Sequence, residues 1–314
     1  MSTENYKVAA MYRFVPIDDI PSMRAEIYAY AQDNAPSICG TLLLAPEGIN
    51  GTIAAHPDEM DKMAAFLDKK LGVLTSETAC EFKYSQASHK PFNRFKVRPK
   101  KELITLRKPE ANPHEKVGEY IKAEDWNDLI SDPDVLLIDT RNEYETRVGI
   151  FDGAIDPKMD IFTEFPDWVE ENLDSEKHKK IAMFCTGGIR CEKASSYMLA
   201  HGFENVYHLK GGILKYLETI PADESKWKGD CFVFDQRVAV GHGLKEGEWT
   251  ICHGCREPLE AKDIERPEYE HGVCCHHCAA DLTPERAKAF RDRQKHYAGI
   301  YGDDDDQGSQ TSDH

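Results

Sequence analysis

Residues 180–195 read KIAMFCTGGIRCEKAS, and the fold turns on this stretch. Lys180-Ile-Ala-Met-Phe184 has the length and apolar character of a buried strand, and it runs straight into Cys185. Two glycines follow, Gly187 and Gly188, which break the strand before Arg190. A helix is then expected from Cys191 to His201, with Gly202 as its C-terminal cap. A strand, a tight loop and a helix in this order belong to a mostly parallel sheet, where ligands bind at the carboxyl ends of strands. Cys185 is expected at such an end. The thiolate is the reactive form of cysteine, and a helix N-terminus favours it. Thr186, Gly187, Gly188 and Ile189 are able to curl into an anion cradle of inward-facing amides. Arg190 adds a loop cation. Cys185 is therefore the candidate nucleophile, and Cys191 a candidate resolving thiol.

Working outward, the alternation of strands and helices continues on both sides. Upstream lie a short helix with Trp126, Leu129 and Ile130, the buried-type strand Val135-Leu-Leu-Ile-Asp139, and a helix at about 165–173. Downstream, strand Asn205 to His208 and Gly211-Gly-Ile213 complete an α/β unit over 122–222. Residues 109–121 read as a linker. The first 108 residues give a different order. Strands at 6–14, 38–45, 52–55 and near 79–84 interleave with helices at 19–33 and 57–71, the βαββαβ order of a ferredoxin-like, acylphosphatase-like unit. Asn50-Gly51 is read as the hairpin signal between the second and third strands. The expected fold class is thus mixed, α/β and α+β, in several domains. Residues 223–301 form a small Cys-rich module. Its last helix opens at Thr283-Pro284-Glu285, with Ala287, Phe290, Tyr297 and Tyr301 facing inward. The acidic tail 302–314 is expected to be disordered.

Composition excludes several classes. No stretch approaches the ~20 apolar residues of a membrane-spanning helix, and the N-terminus lacks the features of a signal peptide. A cytoplasmic location is expected. The ten cysteines then act as metal ligands or reactive thiols rather than as a disulfide scaffold. Cys252-x2-Cys255 and Cys275-x2-Cys278, with 19 residues between, have the spacing of a zinc ribbon and predict a structural zinc. Cys274, His276 and His277 stand close enough in sequence to replace one ligand, and a redox dithiol is the rival reading.

The net charge of -17 argues against non-specific nucleic-acid binding. The distribution is uneven, however. Residues 83–108 hold nine Lys or Arg and one acid, Glu102. Aromatic rings are interleaved with them: Lys83, Tyr84, Lys90, Phe92, Arg94, Phe95, Lys96 and Arg98. Cations bind phosphate and rings stack on unpaired bases, so Lys90, Arg94, Lys96 and Arg98 are candidate RNA contacts. A solvated basic strand is the plain alternative. No membrane or DNA partner is expected, and the oligomeric state is not legible.

Cys185 and Arg190 are separated as C-x4-R, shorter than the C-x5-R of cysteine phosphatases. This tighter loop resembles that of the rhodaneses, which fits a sulfane sulfur. Asp139-Thr-Arg141-Asn-Glu-Tyr-Glu145 and Gly153-Ala154-Ile155 resemble the first rhodanese motif, except that Ile150 and Phe151 replace its usual His-Ile pair. Asp139 and Arg141 are read as structural. The run Cys185-Thr-Gly-Gly-Ile-Arg-Cys-Glu-Lys-Ala-Ser195, Glu47-Gly-Ile-Asn-Gly51 and the terminal cysteines together resemble the tRNA uridine hydroxylase family over about residues 6–280. The resemblance implies oxygen-dependent 5-hydroxylation of the wobble uridine, at position 34 in the anticodon loop of tRNA. Molecular oxygen is then a co-substrate, and the catalytic cysteine, described as a persulfide, falls on Cys185. The sequence names no electron donor, since it has no flavin or nicotinamide glycine motif. A thiosulfate-type sulfurtransferase and a non-catalytic RNA-binding module are the competing functions.

Overall fold

Which face of each strand is apolar decides how the two sheets are covered. The computed structural model describes residues 5–71 and 82–301, the last five by backbone alone. The chain opens with β1 (Tyr6–Phe14), α1 (Ile20–Asn34), β2 (Cys39–Ala45), β3 (Gly48–Ala55), α2 (Pro57–Leu71) and β4 (Lys83–Ala87), the expected βαββαβ order. The start of the strand expected near 79–84, with Cys80, lies outside the described residues. The sheet runs β4-β1-β3-β2 with antiparallel neighbours. A further strand, β5 (Phe95–Pro99), extends it parallel to β2. Local pattern hides β5, because Lys96, Arg98 and Pro99 mask its one fully inward residue, Val97.

The expected hairpin turn is corrected. β2 and β3 join at Pro46-Glu47, whereas Asn50 and Gly51 lie inside β3 opposite Leu43 and Leu42. Gly48 at φ +144 carries the bend. A β-carbon at Gly51 would stand 2.1 Å from the Thr41 carbonyl oxygen, so this glycine permits close strand approach rather than a turn.

α1 and α2 cover one face of the sheet, packing Ile27, Met60, Met63 and Leu67 against Leu42, Ile49 and Ile53. The opposite face presents Tyr12 and Ala45, which pack on Leu103 and on Ile189 of the second sheet's domain. The next elements are β6 (Glu119–Ile121), α3 (Ala123–Leu129), β7 (Val135–Asp139), α4 (Glu143–Thr146), β8 (Gly149–Phe151), α5 (Phe165–Asn172), β9 (Lys180–Phe184), α6 (Ile189–Ala200), β10 (Asn205–Leu209) and α7 (Gly212–Thr219). Their sheet has the order β6-β10-β9-β7 with every pairing parallel. β6 removes 119–121 from the expected linker, because Tyr207 to Leu209 offer it an open edge. α6 starts at Ile189, two residues earlier than expected, since Gly188 at φ +105 caps it. Burial of Ile181 through Phe184 explains the unbroken apolar run of β9.

β11 (Trp227–Gly229) pairs with β8, and β12 (Cys231–Phe232) with β13 (Ala239–Val240). β14 (Thr250–Ile251), β15 (Pro258–Leu259), α8 (Ala261–Ile264) and α9 (Pro284–Tyr301) complete the chain. The Arg286 amide donates to the Thr283 hydroxyl at 3.3 Å, the cap that Thr-Pro-Glu predicts. Ala287 is buried and Phe290 half-buried. The side chains of Tyr297 and Tyr301, and the acidic tail 302–314, lie outside what is described. Among the described residues no helix is long and apolar enough to cross a membrane.

Candidate active site

β9 delivers Cys185 to the carboxyl end of the parallel sheet, and α6 begins four residues later. The loop between them curls as its glycines allow. The Gly188 amide donates to the Cys185 sulfur at 3.1 Å. Cys191, six residues on, also acts on this sulfur through its thiol and its amide. Full burial alone would raise the Cys185 thiol, but the Cys191 hydrogen bond, the Arg190 charge and the two amides outweigh it and hold the thiol well below the ordinary cysteine value. Cys191 moves the other way. Burial and the neighbouring Cys185 sulfur keep its proton in place. The two shifts are opposite in sign, so Cys185 is the one of the pair that ionises first; the Thr140 hydroxyl lies 3.5 Å from the Cys191 sulfur.

Arg190 is not a free loop cation. Its guanidinium is clamped by Glu145, with contacts of 2.5 and 2.7 Å, and the two side chains are 7% and 0% exposed. Glu145 also accepts from the Thr186 hydroxyl at 3.1 Å. Burial pushes Glu145 up, and the Arg190 charge more than offsets it. The buried carboxylate therefore fixes the loop while Arg190 still acts on the sulfur. Asp139 and Arg141 form a second buried pair, at 2.6 Å, and Arg141 donates to the Glu145 and Gly149 carbonyls. They tie β7 to the chain leading into β8.

The cradle has a roof from the first sheet. Lys83 of β4 is only 5% exposed. Its ammonium lies 5.2 Å from the centre of the Tyr12 ring, and a β-carbon on Gly187 would stand 3.9 Å from it. Sequence had placed Lys83 with the solvated basic stretch; its β4 register opposite Ala10 turns it onto the cradle instead. The Tyr12 hydroxyl would stand 2.9 Å from a β-carbon on Gly188 and donates to Glu192 at 2.6 Å. One residue further, Lys193 bonds Glu102 at 2.6 Å and Glu47 at 3.0 Å. The Glu47-Gly-Ile-Asn-Gly51 motif thus helps latch the two sheets together. Of the candidate RNA contacts, Lys90 and Arg94 are exposed on the loop after β4, and Lys96 and Arg98 are half-buried on β5.

Sequence reasoning passed over Glu145, Glu192, Tyr12 and Cys231. Glu145 closes the quoted Asp139-to-Glu145 motif, and the need to balance a buried Arg190 was the available signal. Cys231 carries no spacing signal; it is wholly buried beside Arg141, and burial pushes its thiol up to about 12.

Glu192 gives a pH test. Burial raises its carboxyl to about 7, against hydrogen bonds from Tyr12 and Tyr120 and the Lys83 charge. The folded protein therefore keeps a proton that the unfolded chain releases above its ordinary value of 4.5. That stability is fully present below pH 4.5 and is lost as pH rises through 7, by about 3 kcal/mol. Glu192→Gln, which still accepts from Tyr12, is expected to flatten this part of the thermal-unfolding profile between pH 4.5 and 8. Parallel profiles for variant and wild type would refute the assignment.

Cys252, Cys255, Cys275 and Cys278 converge in the terminal module, their sulfurs all within 4.8 Å of one another. Two of the separations are 3.9 and 3.7 Å. Tetrahedral zinc, at about 2.3 Å from each thiolate, sets sulfurs about 3.8 Å apart. The cage therefore fits that ion. Cys274 is turned away and donates to the Glu268 carbonyl at 3.3 Å.

Comparison with known proteins follows the same division. The UPF0176 acylphosphatase like domain matches residues 6–103, and the Rhodanese-like domain matches residues 122–219. A Deinococcus radiodurans protein named tRNA uridine(34) hydroxylase is 51% identical over 292 residues, 93% of this chain and 95% of that protein. A Rhizobium etli protein of the same name is 50% identical, over 93% of each chain. Among solved structures, a rhodanese-related protein from Thermoplasma volcanium is 24% identical and covers 33% of this chain and 95% of its own, with a TM-score of 0.28.

Proposed function

The chain belongs to the tRNA uridine(34) hydroxylase family, and from that premise we propose that it converts the wobble uridine of tRNA to 5-hydroxyuridine using Cys185. The observation that carries the reading is the extent of the likeness, about half of all residues over 93% of the chain, through the Cys-rich end as well as the two sheets. A sulfurtransferase would need only the rhodanese-like domain. Molecular oxygen is the co-substrate of the proposed reaction.

Each part of the site has a role in this reading. The cradle keeps Cys185 ionised, so it is able to attack an electron-poor carbon or carry a sulfane sulfur without a separate base. Arg190, locked by Glu145, holds the thiolate's charge. Cys191 keeps its proton beside the reacting sulfur and is placed to resolve a persulfide or sulfenate formed there. Thr186, Gly187, Gly188 and Ile189 frame the cradle, and Lys90, Arg94, Lys96 and Arg98 take the phosphates of the anticodon arm. The protein acts in the cytoplasm, where tRNA is found.

Nucleoside mass spectrometry of tRNA tests the function. Deleting the gene is expected to remove 5-hydroxyuridine and nucleosides made from it, and wild-type protein to restore them. Unchanged nucleosides in the deletion strain, with no second route, would end the reading.

Zinc in the Cys252, Cys255, Cys275 and Cys278 cage has a structural role, since four thiolates leave no open position for substrate. Purified protein is expected to hold one zinc ion per chain by elemental analysis, and Cys255→Ser or Cys278→Ser to hold close to none. Full occupancy in either variant would exclude this ligand set.

A further inference from the structure

Phe234 is the only Phe or Trp side chain left exposed among the described residues, at 52%. It is firmly mounted. The hairpin of β12 and β13 closes through the Val233 amide and the Val238 carbonyl at 2.8 Å. Its turn is pinned by the buried pair Asp235–Arg237, at 2.6 Å with 1% and 3% of the two side chains exposed. Arg237 reaches further, donating to the Ser85 hydroxyl of β4 at 2.7 Å. The Gln236 amide donates to the Pro91 carbonyl at 3.3 Å, which ties the hairpin to the loop carrying Lys90 and Arg94. Phe232 packs edge-on against Phe234 at 5.2 Å and against Tyr144, next to Glu145, at the same distance. A buried ion pair is an elaborate mounting for a ring that touches mostly solvent.

Position adds to the argument. Lys83 and Ser85 lie on one face of β4; the first meets the Cys185 cradle and the second the Phe234 hairpin. Along β4 these two contacts are only two residues apart, about 7 Å. A nucleotide stacked on Phe234 would be a few nucleotides from a base held at Cys185. Lys90 and Arg94, exposed on the loop to which the hairpin is tied, supply positive charge for its phosphate.

Resting on the family reading above, we propose that Phe234 is a stacking platform for an unpaired base next to the target uridine, with Lys90 and Arg94 on the adjoining phosphates. A phenyl face reads no base edge, so it holds the anticodon loop without demanding one sequence.

The probe is a 17-nucleotide anticodon stem-loop RNA with uridine at the wobble position, titrated into the full chain. Phe234→Ala is expected to weaken binding about tenfold, raise KM by the same factor and leave kcat within about twofold. Phe234→Trp is expected to keep wild-type affinity, and its added fluorescence to be quenched by the stem-loop but not by a fully paired RNA duplex. Wild-type affinity in Phe234→Ala would overturn the proposal. So would a change in self-association on size-exclusion chromatography with RNA affinity kept, since the ring would then serve a protein contact. In both cases hydroxylation by the wild type still stands, whereas failure of the wild type to hydroxylate tRNA strikes the family reading instead.

Discussion

Cys185→Ala is expected to lower 5-hydroxyuridine formation by at least about 10³-fold while leaving the fold intact. The Gly188 amide donates to the Cys185 sulfur, and Cys191 and the Arg190 charge favour its thiolate. Cys185→Ser is expected to fail as fully, because a serine hydroxyl keeps its proton where a thiol loses it. The lost sulfur leaves a cavity smaller than a methyl-sized side chain would, so thermal unfolding is expected to move by only a few degrees. The check is nucleoside mass spectrometry on tRNA treated with purified variant and wild type, beside a melting curve for each. More than a tenth of wild-type activity in either variant would remove Cys185 from the chemistry. Iodoacetamide labelling supplies a second view. Cys185 is buried beneath its roof, so its alkylation is expected to be slow in absolute rate, but with an onset at lower pH than that of unperturbed thiols.

Glu145→Ala is expected to destabilise the protein by about 3–5 kcal/mol. The substitution strands the Arg190 guanidinium, 7% exposed, with no carboxylate to balance it. It also removes the acceptor of the Thr186 hydroxyl and of the Asn142 amide. The cradle should loosen along with the stability, and alkylation of Cys185 should lose its early onset with pH. A double variant, Glu145→Leu with Arg190→Met, separates the two effects. Well-packed apolar side chains in place of a buried ion pair usually recover stability, but they cannot restore the charge that holds the thiolate. Urea unfolding followed by tryptophan fluorescence measures the first effect and labelling the second. A loss below 1 kcal/mol in Glu145→Ala would mean that the pair is not the anchor described here.

Much of the architecture was legible because it is local. An apolar run ending on a glycine-rich loop specifies β9 and the start of α6 to within two residues. The Thr283-Pro284-Glu285 cap specifies the start of α9. Paired Cys-x2-Cys knuckles specify four sulfurs that do converge. Where a pattern was ambiguous, the ambiguity was local too. Asn50-Gly51 has the composition of a turn, yet the turn falls at Pro46-Glu47, and Gly51 lies inside β3, where the Thr41 carbonyl of β2 leaves no room for a β-carbon. β5 and β6 were hidden because their pairing partners, not their own side chains, make them strands.

The amino-acid order thus specified where a strand ends on a cysteine and glycine-rich loop and which four cysteines converge, since each is written within some thirty residues and by periodicity or spacing alone. Folding in three dimensions decided the electrostatics. Glu145 holds the Arg190 guanidinium in place from 45 positions away, and Lys83 and Tyr12 roof the cysteine from another sheet. A charge acts on whatever lies within a few ångströms of it, and that neighbourhood is set by packing between elements that leave no mark on one another's local pattern.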